Sequence, residues 1–168
     1  MARDIDSLAQ SVVTGLGTRT LSVAESLTGG MISSAITRIP GASLVFAGGV
    51  VAYHSNIKAQ ILDVEEVALS RGAVQSDVAL QMALGVARRL GTQFGVATTG
   101  VAGPSPQDGQ PVGTVFVGVV EIDQAGEIVL ASVESLEIEC DGIDPFSARE
   151  FIRTQTVGAT FELLLAYL

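Results

Sequence analysis

Ser26 lies in Ala24-Glu25-Ser26-Leu27-Thr28-Gly29-Gly30, where a β-rich run gives way to a helical one. A serine at such a turn presents its hydroxyl at the carboxyl edge of a sheet, and the N–H groups after it form an electropositive helix N-terminus. Two glycines let a ligand approach the backbone closely. The segment therefore suits a nucleophile beside an oxyanion hole; the same residues also make an ordinary N-cap and glycine turn. A serine nucleophile needs a base. Two are at hand, His54, the one histidine, and Lys58, the one lysine among nine cations. Arginine cannot give up its proton, whereas a lysine can once burial or a neighbouring charge lowers its pKa. A lone lysine in an arginine-using chain thus points to a deprotonatable amine, unless compositional drift placed it there.

Tyr53, five residues before Lys58, is a candidate to relay the proton or hold the hydroxyl. The alternatives are a strand-end tyrosine at the surface and a solvated helix lysine. Ser55-Asn56-Ile57-Lys58 also matches the S-x-x-K spacing of penicillin-recognising enzymes. No S-D-N or K-T-G follows it, so Ser55 reads as an N-cap first and a nucleophile second. A second constellation is Thr98-Thr99-Gly100-Val101-Ala102-Gly103-Pro104 followed by Pro111-Val112-Gly113-Thr114. It forms either an anion-binding nest or two plain turns. Arg149 and Arg153, four apart on the last helix, share one face. They suit a phosphate clamp or, with Glu150 beside them, a solvated face. One histidine and one cysteine (Cys140) give no zinc spacing, and Asp141 and Asp144 lack the EF-hand pattern, so no metal is expected.

The elements that must position these residues follow from periodicity. Residues 4–17 read as an amphipathic helix on Ile5, Leu8, Val12, Val13 and Leu16. Thr20–Ala24 reads as a strand and Met31–Arg38 as a helix. Leu44–Tyr53 reads as a buried strand, with Gly48-Gly49 a bulge or close approach. Residues 55–71 read as two short helices. Ser76 is expected to cap a helix with Val78, Met82, Val86 and Leu90 on its core face. Gly95–Thr99 is a strand, and Gly100–Gly113, with four glycines and three prolines, is too long for a simple connector. Val115–Ile122 and Ile128–Glu137 form a hairpin, and Asp144-Pro145 opens a final helix to about Tyr167. The alternation predicts an α/β fold, a three-layer α/β/α sandwich with a mixed β-sheet.

At 168 residues, the expectation is a single domain over 1–168. Apolar residues make up 48% and charged residues 16%, with no apolar stretch long enough to span a bilayer. Met1–Asp6 lacks a signal-peptide pattern, and the single cysteine forms no internal disulfide; a cytoplasmic protein is expected. The net charge of −9 argues against nucleic-acid and anionic-membrane partners, though not against a small anion held by a few local cations.

Taken together, the segments Ala24–Gly30, Pro40-Gly41-Ala42-Ser43, Gly49–Tyr53 with Lys58, Gly72-Ala73-Val74, Thr99–Pro104 and Pro111–Val115 resemble, in order and spacing, the CinA C-terminal domain family. The likeness covers nearly the whole chain. Stand-alone members are nicotinamide-nucleotide amidases of the PncC type, so the resemblance implies hydrolysis of nicotinamide mononucleotide to nicotinate mononucleotide and ammonia. It implies Ser26 as nucleophile, with Tyr53 and Lys58 as partners. It further implies Thr28, Gly29, Gly30, Thr99, Gly100, Ala102 and Gly103 around the substrate, and Arg149 or Arg153 at its phosphate. No cofactor is implied, and a homo-oligomer, first of all a dimer, is expected. The departures are leucine at position 27, where the family often has cysteine, Gln75 ahead of Ser76, and a shorter loop around Gln107-Asp108-Gly109. The other readings are a non-catalytic nucleotide-binding domain and a serine amidase of another small amide.

Overall fold

The computed structural model describes residues 4–168, so the first residues of Met1–Asp6 lie outside the described residues. Asp4 caps α1 (Ile5–Leu16) by accepting from the Ser7 N–H at 3.3 Å. Then follow β1 (Leu21–Glu25), α2 (Met31–Thr37), a short 3₁₀ turn (Ala42–Leu44) and β2 (Phe46–Val51). Next come α3 (Ser55–Leu62), α4 (Glu66–Leu69), α5 (Ser76–Leu90), β3 (Phe94–Gly100), β4 (Thr114–Ile122), β5 (Ile128–Glu137) and α6 (Pro145–Leu165). The sheet order is β2-β1-β3-β4-β5. β2, β1 and β3 run parallel, and β3, β4 and β5 antiparallel, which makes the mixed sheet expected from alternation followed by a hairpin.

Both sheet faces are covered. Leu21, Val23, Phe94, Val96 and Val119 pack with α1, α2 and α6 on one side. Ala24, Ala97, Val120 and Ile122 pack with α3, α4 and α5 on the other. The second side is unusually close. A Cβ on Gly95 would sit 1.9 Å from the Ala83 carbonyl oxygen, and one on Gly85 would sit 1.9 Å from that of Leu62. Glycine at these two positions lets α5 lie directly on β3 and lets α3 lie directly on α5. That contact fixes α3, the helix that carries Lys58.

Four expectations need correction. Leu44–Tyr53 is not a buried strand. β2 stops at Val51, lies at the sheet edge and alternates between half-buried and exposed positions, so its apolar content reflects one covered face. The Gly48-Gly49 expectation resolves into both alternatives, with the β1–β2 register skipping Ala47 and a Cβ on Gly49 falling 2.3 Å from Ser33 Oγ. Ser76 does not cap α5 and Ser55 does not cap α3; the N-caps are Gln75 and His54, and neither makes a side-chain cap bond. Val78, Met82 and Val86 are fully buried as expected, but Leu90 is 38% exposed at the helix end. Asp144 caps α6 through the Phe146 and Ser147 N–H groups, with Pro145 in the first turn. Among the described residues no helix is long and apolar enough to cross a membrane.

Candidate active site

Parallel β1, β2 and β3 point their carboxyl ends to one edge of the sheet, where ligands of open α/β sheets bind. The Ser26 N–H donates to Thr98 O at 3.1 Å, and the Ala52 N–H donates to Glu25 O at 2.9 Å. These bonds prolong the β1–β3 and β1–β2 pairings by one residue, so the chain around Ser26 is held from both sides.

Lys58, on the first turn of α3, is 2% exposed. Its Nζ lies 3.1 Å from Ser26 Oγ, 2.8 Å from Ala52 O and 3.3 Å from Tyr53 O. Two of these partners are carbonyls, which only accept. A neutral amine has two N–H groups and one lone pair. It can donate to both carbonyls and accept the Ser26 hydroxyl proton, leaving no group unsatisfied. Burial lowers the Lys58 pKa from 10.5 to about 8, partly opposed by the Asp108 carboxylate. At pH 7 roughly a tenth of the amine is then uncharged, against roughly one part in three thousand for an ordinary lysine. His54, the competing base, is exposed, and its Nδ1 lies 3.0 Å from Asn56 Oδ1.

The turn after Ser26 differs from the sequence expectation. Neither Ser26 nor Thr28 caps α2. Its N-cap is Gly30 at φ +102, without a side-chain cap, and the anion at the helix start is the chain's own Glu25. That carboxylate accepts from the Gly30, Ile32 and Ser33 N–H groups at 3.0, 3.0 and 2.9 Å and from Ser33 Oγ at 2.7 Å. The Gly29 N–H is bonded to Ser26 O. Gly29 and Gly30 therefore have no N–H to offer a substrate oxygen; those of Leu27 and Thr28 enter none of these bonds. Thr28 Oγ1 bonds Thr98 Oγ1 at 2.9 Å.

A cleft of about 300 Å³ opens over this pair. Of the candidate residues, Ser26, Tyr53, Lys58, Thr99, Gly100, Ala102, Gly103 and Arg149 border it. Thr28, Gly29, Gly30 and Arg153 do not; the two glycines face a separate groove beside Met31 and Arg38. Arg153 lies behind the turn, where Nε donates to Leu27 O at 2.9 Å, Nη2 to Thr28 O at 3.2 Å, and Nη1 pairs with Glu150. Arg149 is the arginine at the cleft, donating through Nη1 to Gly103 O at 2.6 Å and through Nη2 to the Tyr53 hydroxyl at 2.8 Å. The Tyr53 phenol is thus engaged at the rim. Because β2 ends at Val51, it is the Tyr53 carbonyl, not the phenol, that meets Lys58. Thr99 donates its hydroxyl to Ala73 O at 2.8 Å and shapes the wall. Sequence reasoning missed the roles of Glu25 and Asp108. Asp108-Gly109 is the hairpin dipeptide that would have flagged the second. Among the described residues no group of histidine, cysteine, aspartate and glutamate side chains is placed to hold a metal ion.

The family model of the CinA C-terminal domain matches residues 5–168. A CinA-like protein of Frankia casuarinae is 48% identical over 122 residues, covering 70% of this chain and 28% of that protein. A putative competence-damage inducible protein of Limosilactobacillus reuteri is 38% identical over 161 residues, covering 94% of this chain and 36% of that protein. The chain thus spans about a third of the length of the curated relatives it matches. The crystal structure of competence/damage inducible protein CihA from Agrobacterium tumefaciens superimposes with a TM-score of 0.85 at 35% identity, covering 97% of this chain and 94% of that one. A CinA superfamily protein from Escherichia coli gives 0.87 at 27% identity, covering 99% and 91%.

Proposed function

The chain belongs to the CinA C-terminal domain family, and on that premise we propose that it is a serine amidohydrolase that deamidates nicotinamide mononucleotide. The observation that carries this reading is the buried Lys58 Nζ 3.1 Å from Ser26 Oγ, its other contacts being carbonyl oxygens. Neutral Lys58 takes the Ser26 proton as Oγ attacks the carboxamide carbon. The oxyanion lies against the Leu27 N–H group, which borders the cleft; losing one such donor lowers turnover by about 10²–10³. Lys58 returns its proton to the amide nitrogen, the C–N bond breaks, and ammonia leaves an acyl ester on Ser26. A water, deprotonated by the same amine, cleaves the ester to nicotinate mononucleotide and restores Ser26. The substrate's pyridinium makes its amide more electrophilic, and Arg149 at the rim is the partner for its phosphate.

The test is ammonia release from nicotinamide mononucleotide, nicotinamide and a simple aliphatic amide. Release from the mononucleotide alone, lost by about a thousandfold or more in Ser26→Ala, is the expected result. Equal release from the aliphatic amide would make the protein a serine amidase of broader substrate. Mononucleotide binding without ammonia would make it a non-catalytic binding domain.

A further inference from the structure

The loop between β3 and β4 ends in a tip that the catalytic reading leaves without a task. Gln107 and Gln110 exchange backbone hydrogen bonds at 3.1 and 2.8 Å, and between them Asp108 and Gly109 both have positive φ, +53 and +74. This is a two-residue hairpin of the primed type that Asp-Gly favours. Its tip is docked. Asp108 Oδ2 accepts from the Ala73 N–H at 2.7 Å. A Cβ on Gly72, itself at φ +107, would fall 2.7 Å from Asp108 Cβ, so only glycine lets the tip lie this close. The Ala73 carbonyl meanwhile accepts from Thr99 on β3. Ala73 is therefore pinned on both sides, and with Gln107 it borders the cleft that holds Lys58.

Resting on the amidase reading, we propose that Asp108 is a positioning residue, its carboxylate latching the loop tip onto the Gly72–Ala73 turn and thereby holding the part of the cleft wall that Ala73 and Gln107 form. The same carboxylate acts at longer range on the Lys58 amine, whose direct contacts are uncharged: the Ser26 hydroxyl and the Ala52 and Tyr53 carbonyls. It opposes the effect of burial there. Asp108 thus has two separable properties, an acceptor oxygen and a charge.

Asp108→Gly and Asp108→Asn separate them, since both residues tolerate the positive φ. Glycine removes acceptor and charge. Asparagine removes the charge but keeps an oxygen for the Ala73 N–H. In Asp108→Gly, KM for nicotinamide mononucleotide rises roughly tenfold and hydrogen exchange at the Ala73 amide quickens by a similar factor. In Asp108→Asn both stay within about threefold of the parent. In both variants the rise of kcat/KM with pH moves to lower pH, because the carboxylate no longer helps Lys58 keep its proton. Unaltered Ala73 exchange in Asp108→Gly, no recovery by asparagine, or an unmoved pH profile would each overturn the proposal. Exchange is read on the free protein. If no substrate is turned over, the amidase reading falls while the exchange data still decide the latch.

Discussion

Glu25 and Lys58 are the two fully buried charged residues among those described; one precedes Ser26 in the chain and the other is bonded to its hydroxyl. Their surroundings are opposite. Four donors converge on the Glu25 carboxylate, three of them backbone N–H groups at the start of α2. Nothing of opposite charge touches the Lys58 amine, which meets two carbonyls and a hydroxyl. Burial with no opposite charge in contact disfavours the ammonium form of Lys58, whereas four donors tie the Glu25 carboxylate into the α2 start. Glu25 therefore builds the turn that carries Ser26, and Lys58 is left to exchange a proton with it. One edge of one sheet uses burial for two ends, rigidity and reactivity.

The largest test of this contrast is removal of the amine. Lys58→Arg keeps a charge that cannot be given up, and Lys58→Met keeps the volume. Both should lower turnover by about a thousandfold or more, read by ammonia release. Stability should move the other way in Lys58→Met. A depressed pKa means that the folded state binds fewer protons than the unfolded chain between pH 8 and 10.5. The penalty is thus complete below pH 8 and vanishes as pH rises towards 10.5. Set against the two carbonyl hydrogen bonds forgone, Lys58→Met should gain about 1 kcal/mol at pH 7 in urea unfolding and lose about 1 kcal/mol at pH 10, where the penalty has mostly gone but the bonds are still missing. An active Lys58→Arg protein would mean the amine is no base.

Glu25→Gln should show the reverse pattern. The amide puts an N–H donor where the α2 start already presents donors, so stability should fall by about 3 kcal/mol, a drop in Tm of roughly 10 °C. A variant as stable as the parent would show that the four donors do not hold the turn. Loss of activity here would come through displacement of Ser26, so the pH dependence of whatever turnover remains should keep its midpoint.

These two environments also mark what was legible in the sequence. The layers were, because hydrophobic period and turn chemistry are local: the helix with Val78, Met82 and Val86 inward, the β4–β5 hairpin, the Asp144-Pro145 start. Ser26 and Lys58 could be named as nucleophile and base by residue type and by likeness to a family. Their 3.1 Å approach could not be read, since it depends on β2 pairing parallel to β1 and on Gly85 letting α3 settle on α5. The α2 start was misread for a related reason. Ser26, Thr28 and two glycines satisfy every local rule for a cap, and the group that fills the role, Glu25, is a strand residue whose burial no local rule reports. Tyr53 was assigned by spacing to Lys58, which fixes separation along the chain but not which atom of the tyrosine faces the amine.

The wild-type pH profile sharpens the same contrast more gently. If the proton acceptor is an amine with pKa about 8, kcat/KM should climb roughly tenfold per pH unit below 8 and level off above it. A base of ordinary histidine type would level off near pH 6.5 instead. His54→Ala should leave the midpoint where it is, since the ring is exposed and meets Asn56 rather than Ser26.

The smallest effect is expected at Ser55, which with Lys58 satisfies the S-x-x-K spacing and borders the same cleft. Two serines compete on sequence for one amine. Ser26 is buried, and its hydroxyl is the one bonded to Nζ; Ser55 is exposed in the first turn of α3. Only a hydroxyl bonded to the neutral amine can pass it a proton in one step, whatever the spacing along the helix. Ser55→Ala should therefore keep kcat within about twofold, the range of an exposed substitution that removes no bond to the reacting atoms. A loss comparable to that of Ser26→Ala would move the nucleophile to α3 and leave the Glu25 turn with structure alone to support.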